Sequence, residues 1–171
     1  QKRLAFASKT PGRTQHINLF ELGPRDAADA LFADLPGYGY AAVSRTDKQR
    51  WQKVMADYLD VRRSLAGVVL MVDPRQGFTD LDLQLLDFVG PRLANGSVKL
   101  LVLLTKADKL NRRDADRALQ QARDTLAGIS TDESDIGVTL FSALSKRGVD
   151  DTAVVLRSWV ESRRPAAETA A

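Results

Sequence analysis

The sequence of 171 residues contains no cysteine and a single histidine, His16. The lack of cysteine excludes disulfide bonds and thiolate metal sites, and one histidine cannot build a zinc site of several histidines. No apolar run approaches the roughly 20 residues that a membrane-spanning helix needs. Basic and acidic residues number 25 and 22, so the net charge of +3 does not by itself indicate a nucleic-acid partner. These absences favour a cytoplasmic protein that is not inserted in a membrane.

The charge that is present is unevenly placed. Residues 1–15 contain basic side chains and no acidic one; the basic residues are Lys2, Arg3, Lys9 and Arg13. A polyanion or a bound phosphate would suit this patch. A solvated, mobile segment is the simpler interpretation of charge alone.

Hydrophobic periodicity predicts alternating strands and helices. The predicted strands cover residues 16–22, 30–33, 67–72, 98–104 and 137–141. The predicted helices cover residues 47–64, 80–89, 114–126 and 149–163. The first two strands should form an antiparallel pair, and the all-apolar third strand should be covered on both faces. The pattern indicates one α/β domain with a largely parallel sheet over residues 1–164, followed by a tail at 165–171.

Three polar segments, 34–37, 105–108 and 142–143, directly follow predicted strands. Ligands of open α/β sheets bind outside the carboxyl ends of the strands, so these segments should gather at one edge. In D-L-P-G, Asp34 can hold Mg²⁺ through a water, and the N–H of Gly37 can approach a terminal phosphate. Alone, this pattern is a common turn.

T-K-A-D has a more specific chemistry. The carboxylate of Asp108 can accept both the N1–H and the exocyclic amino group of guanine, while the stem of Lys106 lies over the purine face. An ordinary strand-to-helix connection fits this segment equally well. Small residues at Ser142 and Ala143 would let backbone N–H groups reach the guanine carbonyl oxygen.

T-P-G-R-T precedes the first strand. There Thr14 can offer its hydroxyl to Mg²⁺ and its backbone N–H to a γ-phosphate, as nucleotide-sensing loops do. Alone, Pro11 and Gly12 indicate only a turn. All four segments occur together and in one order. A shared nucleotide site explains them with a single cause, whereas four unrelated turns would be four coincidences, so the functional interpretation is favoured.

At this point the sequence resembles the EngB family of Ras-like P-loop GTPases. Members carry S-K-T-P-G-(K/R)-T-Q, D-L-P-G-Y-G-Y, L-L-T-K-A-D-K and a serine-bearing loop after the next strand. The matching segments here are 8–15, 34–40, 103–109 and 141–145, and the resemblance extends over residues 1–164.

The resemblance implies roles for individual residues. Thr14 and Asp34 (the latter through water) would bind Mg²⁺. The phosphate and switch set would be Gly12, Arg13, Thr14, Gln15, His16, Asp34, Leu35, Pro36 and Gly37. The guanine set would be Thr105, Lys106, Ala107, Asp108, Phe141, Ser142 and Ala143.

The sequence departs from a complete GTPase in two respects. It contains no G-x-x-x-x-G-K-[ST], the loop that cradles the α- and β-phosphates. In the family this loop and the central first strand lie upstream of the segment that matches Gln1, so the sequence is expected to begin inside a longer chain. Moreover, Tyr38 occupies the position of the water-orienting glutamine of Ras-like proteins, so no catalytic base is assigned.

The resemblance therefore implies a monomeric GTP/GDP-binding switch with Mg²⁺ and slow GTPase activity. It further implies a role in large ribosomal subunit assembly and a requirement for normal cell division and septation. Basic residues near the switches would suit rRNA; they are Lys9, Arg13, Arg45, Lys48, Arg50 and Lys53. One alternative is a GTPase-like interaction module that does not cycle nucleotide. Another is a phosphotransfer domain that uses Asp34 and Asp73 as acidic ligands.

Overall fold

The computed structural model describes residues 17–24, 26–35, 53, 56–59 and 61–163. The chain divides into two compact units, Gln1–Val61 and Arg62–Ala171. In the part of the chain described, no helix combines the length and apolar character needed to cross a bilayer.

Two strands form a hairpin in the first unit. Strand β1 (Asn18–Leu22) pairs antiparallel with β2 (Ala30–Asp34), which confirms the predicted pairing. The N–H of Asp29 donates to the carbonyl of Leu22 at 3.0 Å and closes the turn between them. The hairpin thereby places Asp34 at the carboxyl end of its second strand.

The helix predicted over 47–64 is described only in part. Residues 53, 56–59 and 61 are helical, and residues 62–64 are not, so the helix ends slightly before its predicted end. Leu59, one of its predicted apolar residues, is buried.

Three parallel strands form the sheet of the second unit, in the order β3 (Gly67–Val72), β4 (Lys99–Leu104) and β5 (Ile136–Leu140). The last residues of the three strands are register partners. The strands therefore end at one level, and the segments that follow them begin side by side. The predicted α/β class with a parallel sheet is confirmed, while the domain boundary at residue 164 stays a prediction.

The core is built around the middle strand. Residues 100–104 of β4 are all buried. β4 lies between β3 and β5 in the sheet, so it is the central strand. Trp159 packs against Leu101 and Leu103. Glycine at position 67 makes room for this ring, since a Cβ there would lie 2.3 Å from Cζ3 of Trp159.

The prediction that β3 is covered on both faces is wrong at one position. Leu70 and Val72 are buried, but the Met71 side chain between them is 65% exposed. Side chains alternate between the two faces of a strand, so Met71 points to the face opposite Leu70 and Val72, and it is exposed there.

Three helices accompany the sheet: α1 (Asp80–Ala94), α2 (Arg112–Ala127) and α3 (Val149–Glu161). Helix α1 begins with a capping box, in which the Thr79 hydroxyl accepts from the N–H of Asp82 and the Asp82 carboxylate accepts from the N–H of Thr79. This arrangement satisfies two backbone groups that a helix start would otherwise leave unpaired.

The predicted end of the first of these helices at residue 89 is wrong, because α1 continues through Pro91 to Ala94. A proline in a helix interior costs about 3 kcal/mol through the lost hydrogen bond and its ring clash. Val89 and Leu93 on either side of it are almost completely buried. Burial of two such side chains contributes about 3–6 kcal/mol, which offsets that cost.

Candidate functional site

The T-K-A-D segment is attached to the ends of two strands. The N–H and the hydroxyl of Thr105 both donate to the carbonyl of Val72, at 2.8 and 3.1 Å. The N–H of Ala107 donates to the carbonyl of Phe141 at 3.1 Å, on the side of β5. The segment therefore spans the sheet edge from β3 to β5.

Lys106 turns the chain at this edge. It adopts a left-handed backbone conformation, with φ 55° and ψ 32°, and a short 3₁₀ turn, Ala107–Lys109, follows. Ala107 is buried beneath this turn, while Lys106 and Asp108 are exposed. The two charged side chains are thus presented to solvent from a fixed backbone.

Ser142 fixes the carboxylate of Asp108. Its hydroxyl donates to Oδ1 of Asp108 at 2.5 Å and accepts from the N–H of Ser145 at 3.1 Å. The side chain of Ser142 is fully buried, and its own N–H donates to the carbonyl of Arg147. The serine therefore joins the segment after β4 to the loop after β5.

The loop over 142–148 needs glycine at its end. Gly148 has φ +73°, and a Cβ there would lie 2.3 Å from the carbonyl oxygen of Leu140. Its carbonyl accepts a 2.6 Å hydrogen bond from the hydroxyl of Thr152, which ties the loop to the first turn of α3. Close backbone contact thus holds Ser142 and its neighbours in place.

Asp73, the residue after β3, also belongs to this edge. Its carboxylate accepts from the guanidinium of Arg75, with Nη2 at 2.6 Å and Nε at 2.9 Å, and from Nζ of Lys106 at 3.0 Å. The Arg75 guanidinium is the main cause that holds the pKa of Asp73 well below its usual range, and Lys106 adds to it. In return, Asp73 raises the pKa of Arg75.

Sequence reasoning missed this contact. It considered Asp73 only as an acidic ligand of a phosphotransfer domain, yet the carboxylate is already paired with two cations. Asp73 directly follows a strand, as Thr105 does, but this position alone does not tell which side chain it meets.

The predicted guanine set comes together at this edge. Hydrogen bonds link the segment 105–108 to 141–142, and Ala143 follows as an exposed residue of the same loop. Their binding of guanine stays a prediction.

The phosphate and switch set is described only at Asp34 and Leu35. The other predicted members lie outside the described residues; they are Gly12, Arg13, Thr14, Gln15, His16, Pro36 and Gly37. Asp34 is partly buried, and its Oδ2 accepts a long, 3.5 Å hydrogen bond from Nδ2 of Asn18.

Two solved structures share the fold. The bacterial selenocysteine-specific elongation factor EF-Sec matches with a TM-score of 0.61 at 20% identity, over 86% of this chain and 22% of that one. Translation elongation factor SelB from Methanococcus maripaludis, in complex with the GTP analogue GppNHp, matches with a TM-score of 0.60 at 13% identity. That match covers 91% of this chain and 30% of the other. A family model described as 50S ribosome-binding GTPase matches residues 1–106.

These findings define the chain as a P-loop GTPase that binds guanine nucleotide. Sequence relatives narrow the class: the chain is 55% identical to the "Probable GTP-binding protein EngB" of Albidiferax ferrireducens, over 93% of this chain and 73% of that protein. The protein of the same name from Acidovorax ebreus is 57% identical, over 93% of this chain and 69% of the relative. The chain belongs to the EngB family.

Proposed function

We propose that this EngB chain is a GTP/GDP-dependent molecular switch in which Asp108 reads the guanine base. The observation that carries the proposal is the Ser142–Asp108 hydrogen bond, which orients an exposed carboxylate at the carboxyl edge of the sheet. A carboxylate fixed in this way is ready to accept hydrogen bonds without a further loss of side-chain freedom.

The chemistry of guanine suits this arrangement. Its N1–H and its exocyclic amino group are neighbouring donors, and a carboxylate can accept from both. Adenine presents an acceptor in place of the N1–H, so it would face Asp108 with a mismatched edge. The stem of Lys106 would cover the purine face, and backbone N–H groups near Ser142 and Ala143 would reach the guanine carbonyl oxygen.

Mg²⁺ would be held on the phosphate side. Among the described residues, no group of three or more histidine, cysteine, aspartate or glutamate side chains could hold a metal ion by itself. Asp34 offers carboxylate oxygen at a strand end, and such oxygen suits a Mg²⁺ ion that keeps part of its water shell. We assign Asp34 to a water-mediated contact and Thr14 to a direct one. The ion would neutralise the charge of the phosphates when bound.

Hydrolysis is proposed to be slow. Tyr38 cannot orient a water as a glutamine does, and no catalytic base is assigned to any residue. A partner or a monovalent cation would then accelerate the reaction.

Titration of the intact protein with a fluorescent GDP analogue, with and without Mg²⁺, tests the nucleotide function. We expect saturable binding that GTP and GDP displace and ATP does not. An Asp34→Asn change should reduce the dependence of binding on Mg²⁺, whereas a Glu21→Gln control at an exposed position of β1 should leave it unchanged. A GTPase-like module that does not cycle nucleotide predicts no saturable binding.

We also propose that the switch acts in the cytoplasm, as a monomer, on the large ribosomal subunit during its assembly. Loss of the protein would then impair cell division and septation. The support is the description of the matching family as 50S ribosome-binding, together with basic residues near the switches. Reversing the charge of Arg45, Lys48 and Arg50 should weaken co-sedimentation with the large subunit and its salt sensitivity. Unchanged association would contradict this role.

A further inference from the structure

Asp73 is anchored by its own turn. The N–H of Arg75 donates to Oδ1 of Asp73 at 3.1 Å, and the N–H groups of Gln76 and Gly77 donate to its backbone carbonyl at 3.0 Å. The Asp73 side chain is 15% exposed, so packing also limits its movement. The carboxylate is therefore a fixed point at the end of β3.

Lys106 reaches this fixed point from the neighbouring strand. Thr105 is hydrogen-bonded twice to the last residue of β3, which sets the backbone of Lys106 beside Asp73. The Lys106 side chain is 51% exposed, and its Nζ lies 3.0 Å from Oδ2 of Asp73. One end of an otherwise solvent-facing side chain is thus attached to the sheet edge.

We infer that Asp73 is a positioning residue for guanine-nucleotide binding, because it holds the ammonium of Lys106 so that the aliphatic stem can cover the base. This inference rests on the proposed function of Lys106. A lysine without such an anchor samples many rotamers, and ordering it when the nucleotide binds weakens the affinity. The low pKa of Asp73 keeps the anchor ionised throughout the neutral pH range.

Arg75 supplies a matched control. Its guanidinium pairs with the same carboxylate but projects from the turn after β3, not from the base-reading segment. Arg75→Gln removes that cation and leaves the Lys106–Asp73 pair in place. Asp73→Asn removes the charge from both pairs yet keeps an oxygen that can accept from the N–H of Arg75.

The experiment measures the dissociation constant and the dissociation rate of a fluorescent GDP analogue on the intact protein. The variants are Asp73→Asn, Arg75→Gln, Lys106→Met and the double variant Asp73→Asn with Lys106→Met. We expect Asp73→Asn to weaken binding about two- to fivefold, the range of a partly exposed ion pair, mainly through faster dissociation. Arg75→Gln should change binding by less than about twofold, which is below that range.

The double variant separates positioning from a merely structural role. Lys106→Met keeps an apolar stem and loses the ammonium, so Asp73→Asn should have no further effect in that background. An equal loss in both backgrounds, or an equal loss in Arg75→Gln, would overturn the inference. So would unchanged binding by Asp73→Asn. Thermal unfolding shows whether the Asp73→Asn variant folds normally. If it does not, Asp73→Ser is measured in its place.

Failure of the proposed function gives a different result. In that case the wild-type protein itself shows no saturable GDP binding, and the inference falls with it. If the wild type binds and the Asp73 variants bind equally well, only the inference is wrong.

Discussion

The hydroxyl of Ser142 donates a 2.5 Å hydrogen bond to Oδ1 of Asp108. It joins the loops that follow β4 and β5, which are neighbours in the sheet. Because Ser142 is fully buried and Asp108 is exposed, the interior of the protein sets the orientation of a surface carboxylate. If Asp108 reads the base as we propose, its orientation depends on a residue that need not touch the ligand with its side chain.

Ser142→Ala should therefore affect both stability and binding. The change leaves the N–H of Ser145 without its partner and frees the carboxylate of Asp108. We expect the free energy of unfolding to fall by about 0.5–1.5 kcal/mol, the usual net contribution of a hydrogen bond. GDP affinity should fall up to about tenfold, which corresponds to ~1.4 kcal/mol of lost orientation.

Urea unfolding and fluorescent GDP titration measure these two effects. Ser145→Ala is the matched control, because its exposed side chain can be removed while its backbone N–H stays. The explanation is wrong if Ser142→Ala and Ser145→Ala give the same GDP affinity.

Gly148→Ala should be more harmful than Gly77→Ala. Both glycines have nearly the same left-handed backbone, with φ +73° and +72°, so both changes carry a penalty of about 1–2 kcal/mol. Only at Gly148 would the new Cβ meet backbone, 2.3 Å from the carbonyl oxygen of Leu140, whereas nothing lies within 4 Å at Gly77. We expect an extra loss of at least about 1 kcal/mol at Gly148, the low end for overpacking.

Urea midpoints of the two variants, measured side by side, test this difference. Equal destabilisation would show that the backbone contact at Gly148 relaxes without cost. The loop that carries Ser142 would then tolerate a wider range of residues than its geometry indicates.

The Asp73 carboxylate should contribute to stability in a pH-dependent way. Its folded-state pKa is lowered, first by Arg75 and then by Lys106, relative to about 3.9 for an unfolded aspartate. A lowered pKa means that the contribution is present above the unfolded value and is lost as the pH falls below it towards the folded value. Since its cationic partners are about half exposed, we expect the carboxylate to contribute up to about 1 kcal/mol to the free energy of unfolding.

Unfolding free energies of the wild type and Asp73→Asn between pH 7 and pH 2 measure this contribution. The wild type should be more stable near neutral pH, and the difference should shrink below about pH 4, where the unfolded aspartate becomes protonated. A difference that stays constant over this range would contradict the assignment to Asp73.

Much of the fold could be predicted from the sequence, because the strands are short apolar runs with clear ends. Strand 67–72 was predicted at its observed bounds, and the antiparallel pairing of the hairpin was also correct. Helix ends were less accurate. α2 begins at Arg112, slightly before its predicted start, because the side chain of Asn111 caps it by accepting from the N–H of Asp114.

The site was predicted in its parts but not in its connections. The expectation that ligands bind beyond the carboxyl ends of the strands identified Asp108 and Ser142, which the structure joins through one hydrogen bond. It did not find the contact of Lys106 with Asp73, because spacing along the chain does not tell which side chains of neighbouring loops meet. Side-chain pairing across a parallel sheet depends on register, and register came only with the structure.

The central claim is that Asp108 reads guanine, and the nucleotide preference of Asp108→Asn tests it most directly. An asparagine amide offers one acceptor and one donor. Xanthine has a carbonyl in place of the guanine amino group, so its N1–H and this carbonyl match the amide. In competition titrations on the intact protein, Asp108→Asn should bind GDP about a hundredfold more weakly, because it loses about 3 kcal/mol of charge-assisted hydrogen bonding. It should bind XDP better than the wild type does, while the exposed control Asp116→Asn keeps the preference for GDP. Unchanged preference for GDP in Asp108→Asn would contradict the account.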